Sequence, residues 1–157
     1  MRALIWLACV QAGDGSLPQN SSITGEAFWK GMQLDEVAVP ILLAWRLQKA
    51  GALRQFDPWK LVSRAVRYLI LNGPVTAQDR WEEASGYSPS TLATVIASLV
   101  CAAEFARGRT DDLAEDFLLG YADWLSSHVE DWMVTARGEL VAGRPRHYVR
   151  LTPAEPK

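Results

Sequence analysis

The segment Gln78-Asp79-Arg80-Trp81-Glu82-Glu83 sets three carboxylates around an indole, and Ser85-Gly86-Tyr87-Ser88-Pro89-Ser90 follows it. These residue types suit delivery of a proton to a sugar leaving group. A glutamic acid buried against an aromatic ring, beside other negative charge, holds its proton more tightly. An ionised neighbour can accept hydrogen bonds from sugar hydroxyls at the same time. The same residues also read as the charged, solvated start of a helix, because adjacent acids are common on protein surfaces.

Other chemistry is less well supplied. Cys9 and Cys101 fall inside apolar helical patterns and are expected to be free and buried, with no disulfide framework. Neither His128 nor His147 has a companion at metal-ligand spacing, so no metal and no cofactor is expected. Asp14-Gly15-Ser16 lacks the later ligand positions of a calcium loop. The net charge of −2 gives no reason to expect a nucleic-acid or acidic-membrane partner. Apolar residues at 49% and charged residues at 22% are a globular composition, and 157 residues suit one domain.

The elements that must position the acids are helical. Residues 2–11 read as the end of a buried helix; the apolar run Ala3 to Val10 mimics a signal peptide but is too short to span a bilayer, and no other run looks long enough. Residues 12–31 are a long loop broken by Gly13, Gly15, Pro18, Gly25 and Gly31, and loops of that length are often functional. A second helix runs from about Gln33 to Ala50 with Leu34, Val37, Ile41 and Trp45 as its apolar stripe. Pro40 lies inside it and is expected to delay or kink it.

Asp57 as cap and Pro58 at the first helical position open a third helix, which Gly73-Pro74 ends. Ser88 and Pro89 open a fourth, closed by Gly108. A fifth starts near Thr110, with Asp111 and Asp112 where the helix dipole favours anions. Leu113, Phe117, Tyr121, Trp124 and His128 share one of its faces. The default for Trp6, Trp45, Trp59, Trp124 and Trp132 is core packing, and Tyr87 and Ser88 serve the turn and cap. Arg146 to Leu151 alternate as a short strand, and Pro153 to Lys157 are expected to fray.

Four segments carry a family resemblance: Gly13-Asp14-Gly15-Ser16-Leu17-Pro18-Gln19-Asn20, Trp29-Lys30-Gly31-Met32-Gln33-Leu34-Asp35-Glu36, Gly73 to Thr91 around Trp81-Glu82-Glu83, and Arg146-His147-Tyr148-Val149-Arg150. Together they resemble the glucoamylase family, glycoside hydrolase family 15, in its bacterial form. The resemblance implies an all-α fold. It would be a partial (α/α) toroid of six hairpins, with about five helices of twelve present, all of residues 1–157 belonging to one partial catalytic domain.

The resemblance also implies inverting hydrolysis of α-glucosidic bonds, with Glu82 as general acid and Glu83 as a substrate-binding carboxylate. Asp79 and Trp81 would shape the cleft. Trp29, Gln33 and Asp35 would form a sugar-binding wall. Taken without it, Trp29 could pack beneath its loop, Gln33 could be an exposed cap-region residue and Asp35 could complement the helix dipole. An inverting site needs a second carboxylate roughly 6.5–9.5 Å from the first, and none in this chain matches the family's base. The chain is therefore expected to have little activity alone, to bind an α-glucan or oligosaccharide, and to self-associate through exposed helix faces. The alternative is a non-catalytic carbohydrate-binding or helical interaction module.

Overall fold

The computed structural model describes residues 1–28 and 31–156. Among these residues five helices follow in order: α1 (Arg2–Val10), α2 (Leu34–Lys49), α3 (Trp59–Asn72), α4 (Pro89–Arg107) and α5 (Asp112–Met133). Four two-residue strands complete it: β1 (Gly86–Tyr87), β2 (Val134–Thr135), β3 (His147–Tyr148) and β4 (Thr152–Pro153). The expected all-α class and helix count hold.

Helix α4 is the centre. Ser88 caps it, its hydroxyl accepting the Thr91 N–H, and Pro89 fills the first turn. Leu92, Val95, Leu99, Ala102, Ala103 and Phe105 bury one broad face in a cluster shared with Val37, Ile41 and Ala44 of α2 and Leu118, Ala122 and Leu125 of α5. It packs most extensively on α5 and α2. Contrary to the sequence reading, α4 is long and apolar enough to cross a bilayer by length and composition. Half of its apolar window is instead buried within the fold, as in a core helix.

Several local expectations shift. Helix α3 begins at Trp59, with Pro58 at the cap position; Asp57 still serves the helix start, since its Oδ1 accepts the Trp59 N–H at 3.0 Å. Helix α2 runs unbroken through Pro40, which is buried among Val37, Ala38 and Ile41. One missing backbone bond is tolerated where packing holds the turn. Helix α1 is not a buried helix: Leu4 alone is fully buried, Ile5 and Trp6 are exposed, and so is Cys9. The shared α5 face turns outward. Leu113 is 85% and Phe117 56% exposed, and Trp124 is exposed too, because Leu118, Ala122, Leu125 and Met133 on the other side take the core.

The carboxy-terminal segment does not fray where expected. Antiparallel β1–β4 pairing aligns Gly86 with Pro153 and Tyr87 with Thr152, and Ser85 Oγ donates to the Ala154 carbonyl at 2.8 Å. Strand β3 pairs with β2, Val134 opposite Tyr148 and Thr135 opposite His147.

Candidate active site

The acid-bearing segment is a tight loop between α3 and α4, and its geometry follows from short-range hydrogen bonds. An isolated bridge joins Thr76 to Gly86 at its base, with bonds of 3.0 and 3.1 Å. Inside it, Asp79 N–H donates to the Ala84 carbonyl at 2.9 Å, and Glu82 N–H to the Asp79 carbonyl at 2.8 Å. Asp79 Oδ1 accepts the Glu83 N–H at 3.0 Å, a local side-chain-to-backbone bond that closes the turn. Glu82 takes the left-handed conformation, φ 62°. That costs a non-glycine residue roughly 1–2 kcal/mol, and such outliers cluster at functional sites.

The loop is tied to the start of α2. Thr76 Oγ1 accepts the Leu34 N–H at 3.2 Å and donates to the Gln78 carbonyl at 2.7 Å, and Gln78 N–H donates to the Met32 carbonyl at 3.1 Å. Gln33 caps α2 in a reciprocal box with Glu36, whose Oε2 accepts the Gln33 N–H at 3.4 Å. Gln33 is at the cap, as one reading of the sequence has it, but it is buried (5% exposed) rather than exposed, since the box with Glu36 draws it in.

The carboxylates differ in setting. Asp79 is 1% exposed. Glu82 and Glu83 are exposed, so Glu82 is not buried against the Trp81 ring as the sequence reading expected; Trp81 is itself 58% exposed. The tight turn lifts both side chains off the body of the protein. Glu82 Oε1 accepts a hydrogen bond from the Gln19 amide. Gln19 lines a groove of about 290 Å³ together with Leu7, Leu17, Pro18, Asp35, Glu36, Val39 and Pro40. Glu82 therefore stands at the rim of a groove that Asp35 and Glu36 line.

The carboxyl with the raised proton affinity is Glu36. Burial pushes it up to about 7 against the Gln33 hydrogen bond, with the Asp35 and Glu82 charges adding to the push. Glu36 Oε1 and Asp35 Oδ1 are both buried without a hydrogen-bond partner among the described residues.

From the carboxy-terminal segment, Arg150 Nη1 lies 2.8 Å from Glu83 Oε2 and 3.4 Å from Asp79 Oδ2. Its guanidinium carbon is 5.1 Å from the centre of the Trp81 ring. Asp79, Trp81, Glu82 and Glu83 thus share one loop, and Gln33 and Asp35 sit at the helix start it is tied to. Trp29 lies outside the described residues. Sequence reasoning missed Gln19, Glu36 and Arg150 as members of the site, although all three fall in the segments that carry the resemblance. Among the described residues, no three His, Cys, Asp or Glu side chains converge as a metal site would require.

The fold and the groove define a helical domain with a carboxylate loop set at the mouth of a cleft. The profile of glycosyl hydrolases family 15 matches residues 13–138, and the chain belongs to that family. It is 38% identical over 151 residues to a glucoamylase of Clostridium sp. (strain G0005), across 96% of this chain and 20% of the relative. A crystal structure of a bacterial glucoamylase complexed with acarbose superposes with a TM-score of 0.83 at 37% identity, covering 96% of this chain and 21% of that one. The chain thus spans about a fifth of the curated relative it matches, and its helices correspond to part of the (α/α) toroid of glucoamylase.

Proposed function

We propose that residues 1–157 are part of a catalytic domain that hydrolyses α-glucosidic bonds with inversion, and that Glu82 is its general acid. The observation that carries this is the Gln19–Glu82 hydrogen bond. It joins two of the family-like segments at the rim of the groove that Asp35 and Glu36 line. The strained turn at Glu82 supports the same reading.

The roles follow from the chemistry. Glu82 protonates the glycosidic oxygen as the bond to the leaving sugar breaks. Glu83 accepts a sugar hydroxyl, Asp79 holds the loop from beneath, and the Trp81 ring walls the cleft. Asp35 and Gln33 shape the opposite wall. The water-activating carboxylate belongs to sequence that this chain does not carry. Ligand chemistry is an α-linked glucose oligomer, supported by the acarbose held by the structural relative.

The test is glucose release from maltose and soluble starch, together with acarbose binding followed by tryptophan fluorescence. Saturable acarbose binding with little or no glucose release is the expected pair of results. Robust turnover by this chain would overturn the missing-base reading. Acarbose binding by Glu82→Gln equal to wild type in affinity and pH response would remove Glu82 from the site.

A further inference from the structure

We propose that Arg150 is a positioning residue that locks the carboxylate loop against a carboxy-terminal strap, acting through Asp79, Trp81 and Glu83. The functional consequence rests on the reading of Glu82 as proton donor.

One side chain contacts three alternate loop residues. Arg150 meets the Glu83 carboxylate at 2.8 Å, the Asp79 carboxylate at 3.4 Å and the Trp81 ring at 5.1 Å. Residues 79, 81 and 83 bracket Glu82, which bonds instead to Gln19. The arginine fixes one edge of the loop and leaves the proton donor to the groove side. A guanidinium can stack on an indole while its N–H groups fork to carboxylates, which a lysine ammonium cannot do.

Asp79 makes the contact consequential. It is 1% exposed; Oδ1 is occupied by the Glu83 N–H, and Oδ2 has no hydrogen bond among the described residues. The Arg150 charge is what faces that oxygen. A buried carboxylate left without its counter-charge is strongly unfavourable.

Arg150 is itself held from both sides. Upstream, β3 pairs with β2, and Val149 N–H donates to the Met133 carbonyl at 2.9 Å. Downstream, β4 pairs with β1, which follows the acid loop directly. The strap from His147 to Pro153 is therefore tied at the end of α5 and at the base of the loop, with Arg150 between.

The test compares wild type with Arg150→Met, Arg150→Lys and the double variant Asp79→Asn/Arg150→Met. Amide hydrogen exchange over residues 79–85 reads loop position, thermal melting reads fold stability, and acarbose titration reads the sugar site. Arg150→Met is expected to melt at lower temperature. The double variant removes the orphaned charge and regains the melting temperature, yet its loop exchanges at least ten-fold faster and it binds acarbose at least ten-fold more weakly. Arg150→Lys retains stability but not loop protection. Wild-type loop exchange in the double variant, or in Arg150→Lys, would overturn the proposal by reducing Arg150 to charge compensation. Loss of loop protection in a protein whose wild type never binds acarbose would uphold the lock and sink the sugar-site reading instead.

Discussion

Gln19 and Glu82 lie 63 residues apart in sequence, and the Gln19 amide donates to Glu82 Oε1. A side-chain hydrogen bond of this kind has a net worth of about 0.5–1.5 kcal/mol. Gln19→Ala is therefore expected to weaken acarbose binding by about two- to ten-fold while leaving thermal stability unchanged, because surface substitutions usually stay within about 0.5 kcal/mol. Isothermal titration alongside a melting curve checks both. Unchanged affinity would mean that the bond does not orient the carboxylate.

Gly86 supplies a second prediction. A Cβ built at this position lies 2.2 Å from the Thr152 carbonyl oxygen and 3.0 Å from the Leu151 side chain. Any side chain must push β4 away from β1. Gly86→Ala is expected to lose the β1–β4 pairing and with it the downstream tether of Arg150, at a cost of about 1–3 kcal/mol, the usual range for overpacking. Nuclear magnetic resonance of the Gly86 and Thr152 amides, with chemical denaturation, tests this. Intact pairing at wild-type stability would contradict it.

These residues also mark what the sequence discloses. Helix starts were legible because caps are local chemistry: Ser88-Pro89 and Asp111 act at or within a residue of where their types place them. The core face of α5 was harder to read. Leu113, Phe117, Tyr121 and Trp124 repeat at helical spacing as clearly as Leu118, Ala122 and Leu125 do, and periodicity alone does not say which apolar stripe meets a neighbour. The acid loop was found by its residue types and its resemblance, but its clamp was not. Arg150 reaches Asp79 and Glu83 only because two-residue strands fold the strap back, and such short pairings leave no periodic signal. The burial expected of Glu82 falls on Glu36 instead, since the tight turn exposes the former and the capping box draws in the latter.

The outward stripe of α5 gives a third prediction. Phe117 stacks on Tyr121 with ring centres 6.3 Å apart, Tyr121 on Trp124 at 5.8 Å, and Trp124 approaches His128 at 4.7 Å. Beside Phe117 an apolar hollow of about 190 Å³ opens toward Trp59, Val66 and Ile70 of α3. An exposed apolar surface of this kind favours association. Sedimentation velocity is expected to show concentration-dependent self-association, abolished by Leu113→Glu/Phe117→Glu without loss of melting temperature. A monomer at all concentrations would refute this.

Glu36 makes stability depend on pH in a direction that can be worked out. Its carboxyl sits near its ordinary 4.5 in the unfolded chain and is pushed up to about 7 in the fold. Between those values the folded protein keeps a proton that the unfolded chain has released. Folding is then opposed increasingly as pH rises from 4.5 to 7, and the full penalty persists above 7. Each pH unit of the gap is worth about 1.36 kcal/mol at most, and solvent reaching this half-buried group reduces the total to on the order of 1–2 kcal/mol. Asp57 and Glu104 run the other way. Arg109 and Lys49 hydrogen-bond to them and hold them below their ordinary values, so their contributions fade only as the solution becomes more acidic. Comparing wild type with a Glu36→Gln variant across pH 5 to 8 therefore isolates the contribution of Glu36. Glu36→Gln keeps an oxygen to accept the Gln33 N–H but carries no proton to lose. Urea denaturation at steps across that interval is expected to show the wild type losing stability toward pH 8 and the variant holding level. A constant gap between the two at every pH would show that Glu36 does not titrate there.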